Sequence, residues 1–352
     1  MISEKMFTSE PYDFLLDNGI VKREAPSNIA IVKYWGKKQD QIPANPSISF
    51  TLSNCKTITE IHFNKIKKTD FFSFDFSLDG KEKKDFYPKI EQFFQKTEPY
   101  LPFLKSYHFT IKSHNTFPHS SGIASSASAM AALSLCLMNI EKQFTEISED
   151  FFYKKASFLA RLGSGSACRS IKGNPIIWGK HPNVPKSSDL FGVELDIHEN
   201  FRNYHDAILL VDTKEKQIPS TLGHKLMQDH PFAERRFTQA IENISQLLEI
   251  FKYGDYQSFI KIVESEALTL HSMMMTSDPY FILIKPNTLE IINRIWMFRN
   301  ATKIPVCFTL DAGANVHLLY PEKYQNETFS FIKQTLLDFC DDRRFIIDTI
   351  KH

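Results

Sequence analysis

Four short segments of this 352-residue chain gather residue types that bind anions and move protons. "FPHSSGIASSASA" (117–129) leads from a proline through small polar residues and one glycine into a stretch that reads as a helix starting at Ser125 or Ser126. The first N–H groups of a helix lack intrahelical partners and lie at the positive end of its dipole, so such a loop can hold an anion. The hydroxyls can donate to phosphate or hold a magnesium ion attached to one. A serine capping a core helix fits the stretch equally well. The loop matches neither GxxxxGK[ST] nor GxGxxG.

"GSGSACRS" (163–170) gathers Ser164, Ser166 and Arg169 with two glycines, and the planar fork of Arg169 suits a carboxylate or phosphate. A helix-to-strand connection with an exposed arginine is the plainer alternative. Cys168 has no partner base nearby and reads as a small buried residue. In "TLDAGANVH" (309–317), Asp311 ends an apolar strand, where a base can be held at a cleft; a simple turn is the alternative. In "SNIAIVKYWGKK" (27–38), Asn28, Lys33, Tyr34 and Lys37 stand among apolar neighbours. If 29–35 is a strand, Lys33 and Trp35 share one face and Tyr34 takes the other. A lysine there needs an anionic partner, unless this is an edge strand with its lysines snorkelling to water.

These segments need a scaffold that brings positions near 30, 125, 165 and 311 to one place. Alternating patterns predict strands at 47–53, 57–63, 71–78 and 108–114, and a strand-like stretch from 19 broken by Pro26-Ser27-Asn28. Residues 82–107 read as helical, interrupted by Pro88 and Pro99, with helices at 125–142 and 149–162 and a short strand at 175–179. The second half opens with a buried strand (207–212). Helices follow at 219–229, 232–253, 256–275 and 286–300, then strands at 304–310 and 315–320, a helix at 324–340 and a strand at 344–349. The Met273–Met275 run reads as core packing. The fold class is α+β, and the length calls for two domains.

Composition narrows the function. A formal net charge of +1 implies no polyanion partner. The five cysteines form no CxxC pair, and a reducing, cytoplasmic setting is expected. The histidines show no HExxH, so a protein-built metal site is not expected. The N-terminal segment lacks the pattern of a signal peptide, and the longest mostly apolar run is too short to span a bilayer. Glycine occurs only 12 times, about half the usual frequency. Gly36, Gly122, Gly163, Gly165, Gly173 and Gly313 fall in or beside the segments singled out here, where backbone must turn or approach a ligand.

Taken in order, "APSNIAIVKYWGK", "FPHSSGIASSASA", "GSGSACRS" and "TLDAGAN" resemble the mevalonate diphosphate decarboxylases of the GHMP kinase superfamily. The resemblance spans about Ala25 to Asn315. The first and third motifs are specific to the decarboxylases; the loop motif is shared across the superfamily as a cradle for ATP phosphates. The resemblance implies a GHMP kinase fold with an N-terminal domain at 1–195, a C-terminal domain at 196–352 and the active-site cleft between them. It implies ATP and Mg2+ as cofactors, the ion held mainly through the ATP phosphates with Ser126 as a further contact. The implied reaction phosphorylates the 3-hydroxyl of mevalonate 5-diphosphate, then loses phosphate and CO2 to give isopentenyl diphosphate.

By the same resemblance Asp311 faces the 3-hydroxyl, Lys33 lies near it and the transferring phosphate, and Arg169 holds the substrate carboxylate. Asn28, Ser164, Ser166 and Ser220 match substrate contacts, and Tyr34 and Lys37 match positions near the diphosphate. His119, Ser120, Ser121, Gly122, Ser125 and Ser126 match the nucleotide loop. A small-molecule substrate and a cytoplasmic homodimer are expected, with no nucleic-acid or membrane partner. Three departures stand out: "FPHSSG" where many members have "FPTAAG", Pro46 where serine is usual, and Thr221 where many bacterial members carry a diphosphate-clamping arginine, a role open to Lys214 or Lys216. The third keeps alternatives open: a decarboxylase acting on mevalonate 5-phosphate, or a mevalonate 3-kinase. A silent paralogue is a further alternative, against which the retained Asp311 and Arg169 argue.

Overall fold

The computed structural model describes all residues except 1, 2, 11, 13, 119–122, 174, 214–219 and 352, and omits the side chains of 40, 220, 221 and 351. Two long strands form its frame. β1 (Asn18–Val32) and β2 (Ser47–Lys65) pair antiparallel, with register shifts between Pro26 and Asn28 and between Ala30 and Val32. The stretches expected as separate strands at 47–53 and 57–63 are thus one strand. Its break is bridged from outside: an Asp348 carboxylate accepts from the N–H groups of Ser53, Asn54 and Cys55 at 2.7, 2.9 and 2.6 Å. Similarly, Pro26-Ser27-Asn28 bends β1 and does not end it, because a bulge accommodates the missing N–H of proline.

β3 (Ser73–Leu78), β4 (Lys81–Glu82), β5 (Tyr107–Asn115), β6 (Ile176–Trp178) and β7 (Val193–Glu194) complete a seven-stranded sheet of order β4-β3-β5-β2-β6-β7, with β1 on β2. α1 (Tyr87–Thr97), α2 (Ser125–Glu141) and α3 (Glu149–Gly163) cover one face through a core rich in phenylalanine. Pro88 opens α1 and does not interrupt it, since the first turn needs no proline N–H.

The C-terminal half contains β8 (Asn203–Leu209), α4 (Ser220–Leu226), α5 (Ala233–Tyr253), α6 (Tyr256–Met275), α7 (Pro286–Thr302), β9 (Cys307–Thr309), β10 (Val316–Pro321), α8 (Gln325–Phe331) and β11 (Phe345–Lys351). Its four strands run antiparallel in the order β11-β8-β10-β9. The helix expected at 324–340 is α8 followed by a π turn (332–336) and a 3-10 turn (337–339). One apolar cluster joins the halves, bringing Ile29, Ile48 and Phe50 against Tyr204, Ile208, Phe251, Phe259 and Cys307. Met273 and Met274 pack with Trp35 and Ala312 in another, whereas Met275, expected in the core with them, is exposed. No helix among the described residues is long and apolar enough to cross a membrane.

Candidate active site

β1 stops at Val32, and 33–37 leave the sheet to run along a cavity of about 370 Å³. The strand alternation expected for 29–35 therefore fails at its end: Lys33 and Tyr34 both line the cavity. Lys33 is 2% exposed, so it does not snorkel. Its ammonium lies 3.1 Å from Asp311 Oδ1 and donates to the Ala30 carbonyl at 2.5 Å. Burial pushes the Lys33 ammonium below its ordinary value, and Asp311 and Glu266 oppose that shift. Asp311 itself is open to the cavity.

Both members of this pair are held by their backbones. Glu266 accepts from Lys33 N–H at 2.9 Å, and the Lys33 carbonyl accepts from Arg236 at 3.2 Å and Asn45 at 2.9 Å. Arg236 and Glu266 are fully buried and 2.6 Å apart. His271 Nε2 donates to the Asp311 carbonyl at 3.1 Å. Burial pushes His271 down to about 4, so the ring is neutral. Glu266 and His271 both project from α6. One helix thus fixes a lysine from the first half of the chain and an aspartate from the second.

Arg169 lies in a 3-10 turn, Gly165–Ser170, directly after α3. It is 3% exposed, which excludes the exposed-arginine alternative. It donates to Ser47 Oγ and, at 3.4 Å, to Asn28 Oδ1, and it sits 5.8 Å over the Trp178 ring. Asn28 in turn donates to Ser170 Oγ at 2.7 Å and the Ser166 carbonyl at 3.3 Å. Ser164 and Ser166 line the same cavity. A Cβ on Gly165 would come within 2.9 Å of the Tyr34 hydroxyl and the Trp178 ring, so only glycine lets this turn approach. The Tyr34 hydroxyl is buried with no partner among the described residues, an orphan donor at a cavity wall that a ligand would satisfy. Burial pushes the Cys168 thiol up to about 12, which makes it inert. A Cβ on Gly179 would come 2.5 Å from the Cα of residue 46 whatever its side chain, so the close approach needs glycine at 179, and nothing in the structure explains the proline at 46.

In the loop expected to hold the nucleotide, His119, Ser120, Ser121 and Gly122 lie outside the described residues. Ser125 and Ser126 open α2, but neither caps it: the N-cap is Ala124, at φ 35°, ψ 37°, with no side-chain cap bond. Left-handed backbone at a non-glycine residue costs about 1–3 kcal/mol and clusters at ligand sites. The first intrahelical bonds come from Ala127 and Ser128, leaving the earlier N–H groups for a ligand. Ser27 Oγ donates to the Ile123 carbonyl at 2.8 Å and ties the loop to β1.

Lys89 donates to Ser126 Oγ at 2.8 Å. Together they border both the polar cavity and a second one of about 420 Å³, walled by Phe76, Leu78, Phe86, Ile90, Ile111 and Leu133. Nothing in the sequence marks Lys89 among the chain's many lysines. Lys37 lines the polar cavity and donates to Gln41 at 3.3 Å. Ser220 opens α4, but its side chain, that of Thr221, and Lys214 and Lys216 lie outside the described residues. His224 of α4, also unmarked by spacing, lines the polar cavity. Among the described residues no three His, Cys, Asp or Glu side chains are placed to hold a metal ion.

A two-domain α+β frame, a polar cleft between its halves and a loop feeding an uncapped helix define the GHMP kinase architecture. Residues 25–189 match the model for the diphosphomevalonate decarboxylase-like N-terminal domain, and 207–349 match the mevalonate 5-diphosphate decarboxylase C-terminal domain. A mevalonate diphosphate decarboxylase from Legionella pneumophila is 30% identical, with a TM-score of 0.77 covering 92% of this chain and 99% of that one. The Staphylococcus aureus enzyme superimposes with a TM-score of 0.81 at 27% identity over 95% and 96% of the two chains. That from Enterococcus faecalis, solved to describe its mevalonate-diphosphate-mediated ATP binding mechanism, gives 0.79 at 26% identity over 94% and 96%. The chain belongs to the diphosphomevalonate decarboxylase family.

Proposed function

We propose that this chain decarboxylates mevalonate 5-diphosphate to isopentenyl diphosphate at the expense of ATP. The observation that carries the proposal is the Lys33–Asp311 pair at 3.1 Å, a buried lysine against an aspartate open to the cavity, beside Arg169. ATP supplies the phosphoryl group, and magnesium bound to its phosphates neutralises their charge. The residues present fit these groups: the open first turn of α2, Ser125, Ser126 and Lys89 would hold phosphates, and the apolar cavity beside them would take the base. The 1–195 and 196–352 units form the two walls of the cleft.

Asp311 accepts the proton of the 3-hydroxyl as that oxygen takes the phosphoryl group. Lys33 stays paired with Asp311 and offsets negative charge at the transfer point. A tertiary hydroxyl is a poor leaving group, and phosphorylation makes it a good one. When the C3–O bond breaks, phosphate carries away the bonding pair. The C–C bond to the carboxylate then supplies the electrons of the new double bond, and CO2 departs. Arg169 holds that carboxylate in place. Because Arg169 is already fixed by Ser47 and Asn28, little reorganisation is needed when substrate arrives.

Purified protein with ATP and magnesium should be given mevalonate, its 5-phosphate and its 5-diphosphate separately, with CO2 and ADP followed together. Equal amounts of both products from the diphosphate alone are expected. CO2 from the monophosphate would move the specificity, and ADP without CO2 would make the protein a 3-kinase.

A further inference from the structure

His224, like Gln41, Lys89 and Leu270, lines the polar cavity from outside the four motifs. It lies in α4 and is placed there by two glycines. A Cβ on Gly223 would come 2.4 Å from the Trp35 ring, so this close approach of α4 to the end of β1 needs glycine at 223. Gly36, at φ +100°, turns its N–H toward the imidazole, and His224 Nδ1 accepts from it at 3.0 Å. An Nδ1 that accepts fixes the neutral tautomer with the proton on Nε2. The ring packs on Tyr34, centroids 4.2 Å apart, and lies 4.9 Å from Trp35. Burial first, then the charges of Lys37 and Arg169, push His224 down to about 3, so the ring stays neutral at physiological pH. Its Nε2 has no hydrogen-bond partner among the described residues, and the residue borders the same cavity as Tyr34 and Lys37.

We propose that His224 Nε2–H donates to the phosphate end of the substrate and makes His224 a specificity-determining residue. This rests on the proposed function, because Tyr34 and Lys37 are expected at that end. Lys37 supplies charge there, and His224 supplies a directed donor without adding charge. The neutral ring also leaves the balance of cations around Lys33 and Asp311 undisturbed. A donor at this place provides part of the clamp that an arginine at 221 would otherwise supply.

The test separates the two nitrogens. His224→Asn keeps an acceptor at the Nδ1 position for Gly36 and withdraws the donor from the Nε2 position; His224→Gln keeps a donor at the Nε2 position. Steady-state kinetics with the 5-diphosphate and 5-phosphate, and calorimetric binding of ADP, are measured for the wild type and both variants. We expect His224→Asn to raise KM for the diphosphate about ten-fold, as loss of one hydrogen bond to a charged group does. We also expect it to narrow the preference for diphosphate over monophosphate and to leave kcat and ADP affinity near wild type. Unchanged KM and preference would overturn the proposal. Should His224→Asn also lose ADP binding, His224→Gln decides: a diphosphate KM near wild type supports donation, and a ten-fold rise overturns it. A wild-type protein that turns over no mevalonate derivative would instead remove the parent reading, which none of the variant results does.

Discussion

The two cavities that meet at Lys89 and Ser126 are close in size, about 370 and 420 Å³, and are built by opposite means. The polar one holds charges fixed by side-chain bonds between distant parts of the chain, Lys33 to Asp311 and Arg169 to Ser47 and Asn28, with Glu266 behind them on the Lys33 backbone. The apolar one is walled by side chains of β2, β3, β5, α1 with the turn before it, and α2, which sheet packing brings together. Bond-making needs charges held in place before the substrate arrives, because reorientation during reaction raises the barrier. Holding a flat base needs chiefly apolar area and shape. Damage to the first cavity should therefore appear in turnover or substrate use, and damage to the second in nucleotide affinity alone.

The sharpest break comes at Asp311. Asp311→Asn should lower kcat by about a thousand-fold, within the range for loss of a general base, while ADP affinity by calorimetry stays within two-fold of wild type. Residual decarboxylation near wild type would remove its role. Arg169→Gln should lower kcat/KM for the diphosphate by about a hundred-fold with ATP KM unchanged, as loss of a charge-assisted contact to the carboxylate predicts. If both affinities fall together, Arg169 is structural. On the other side, Ala129→Phe projects a ring into the apolar cavity from α2. It should raise ATP KM about ten-fold and leave kcat at saturation intact; a loss of kcat instead would merge the two cavities functionally.

The smallest effect concerns how the polar site is held together. His271 is neutral in the folded chain, with a value near 4 against an ordinary 6.5. The unfolded chain therefore binds the proton more readily between those limits, and stability falls as pH drops from about 6.5 to about 4. The loss from this residue is about 3 kcal/mol in all. His271→Gln should flatten that part of the acid limb in urea melts at pH 7 and 4.5. An unchanged slope would mean that His271 is not a source of the acid sensitivity.

The apolar cavity was the less legible of the two in the sequence. Its lining residues belong to ordinary amphipathic strands and helices, and nothing distinguishes Ile111 or Leu133 from core. The polar site was legible at Lys33, Asp311, Arg169 and Asn28 because a lysine, an aspartate and an arginine in apolar or glycine-rich settings demand partners. Their residue types implied the need for compensation, but not the partner. Glu266, His271 and Arg236 went unnoticed because α6 and α5 read as ordinary amphipathic helices. Lys89 and His224 likewise carried no local signal.

What the sequence determined by itself was the α+β class, most of the elements, the four chemical segments and, through their order, the family resemblance. Periodicity, turn residues and helix starts are local properties, so a single chain displays them. The tertiary structure decided that β2 is one strand, because Asp348 bridges its bend from 293 positions further along the chain or more. It also decided that Ala124, not a serine, precedes α2, and that Lys33 faces Asp311 across 278 positions. Such pairings depend on which distant groups the packed core brings within hydrogen-bond reach. A buried charge makes a partner necessary, and only the fold selects which one it is.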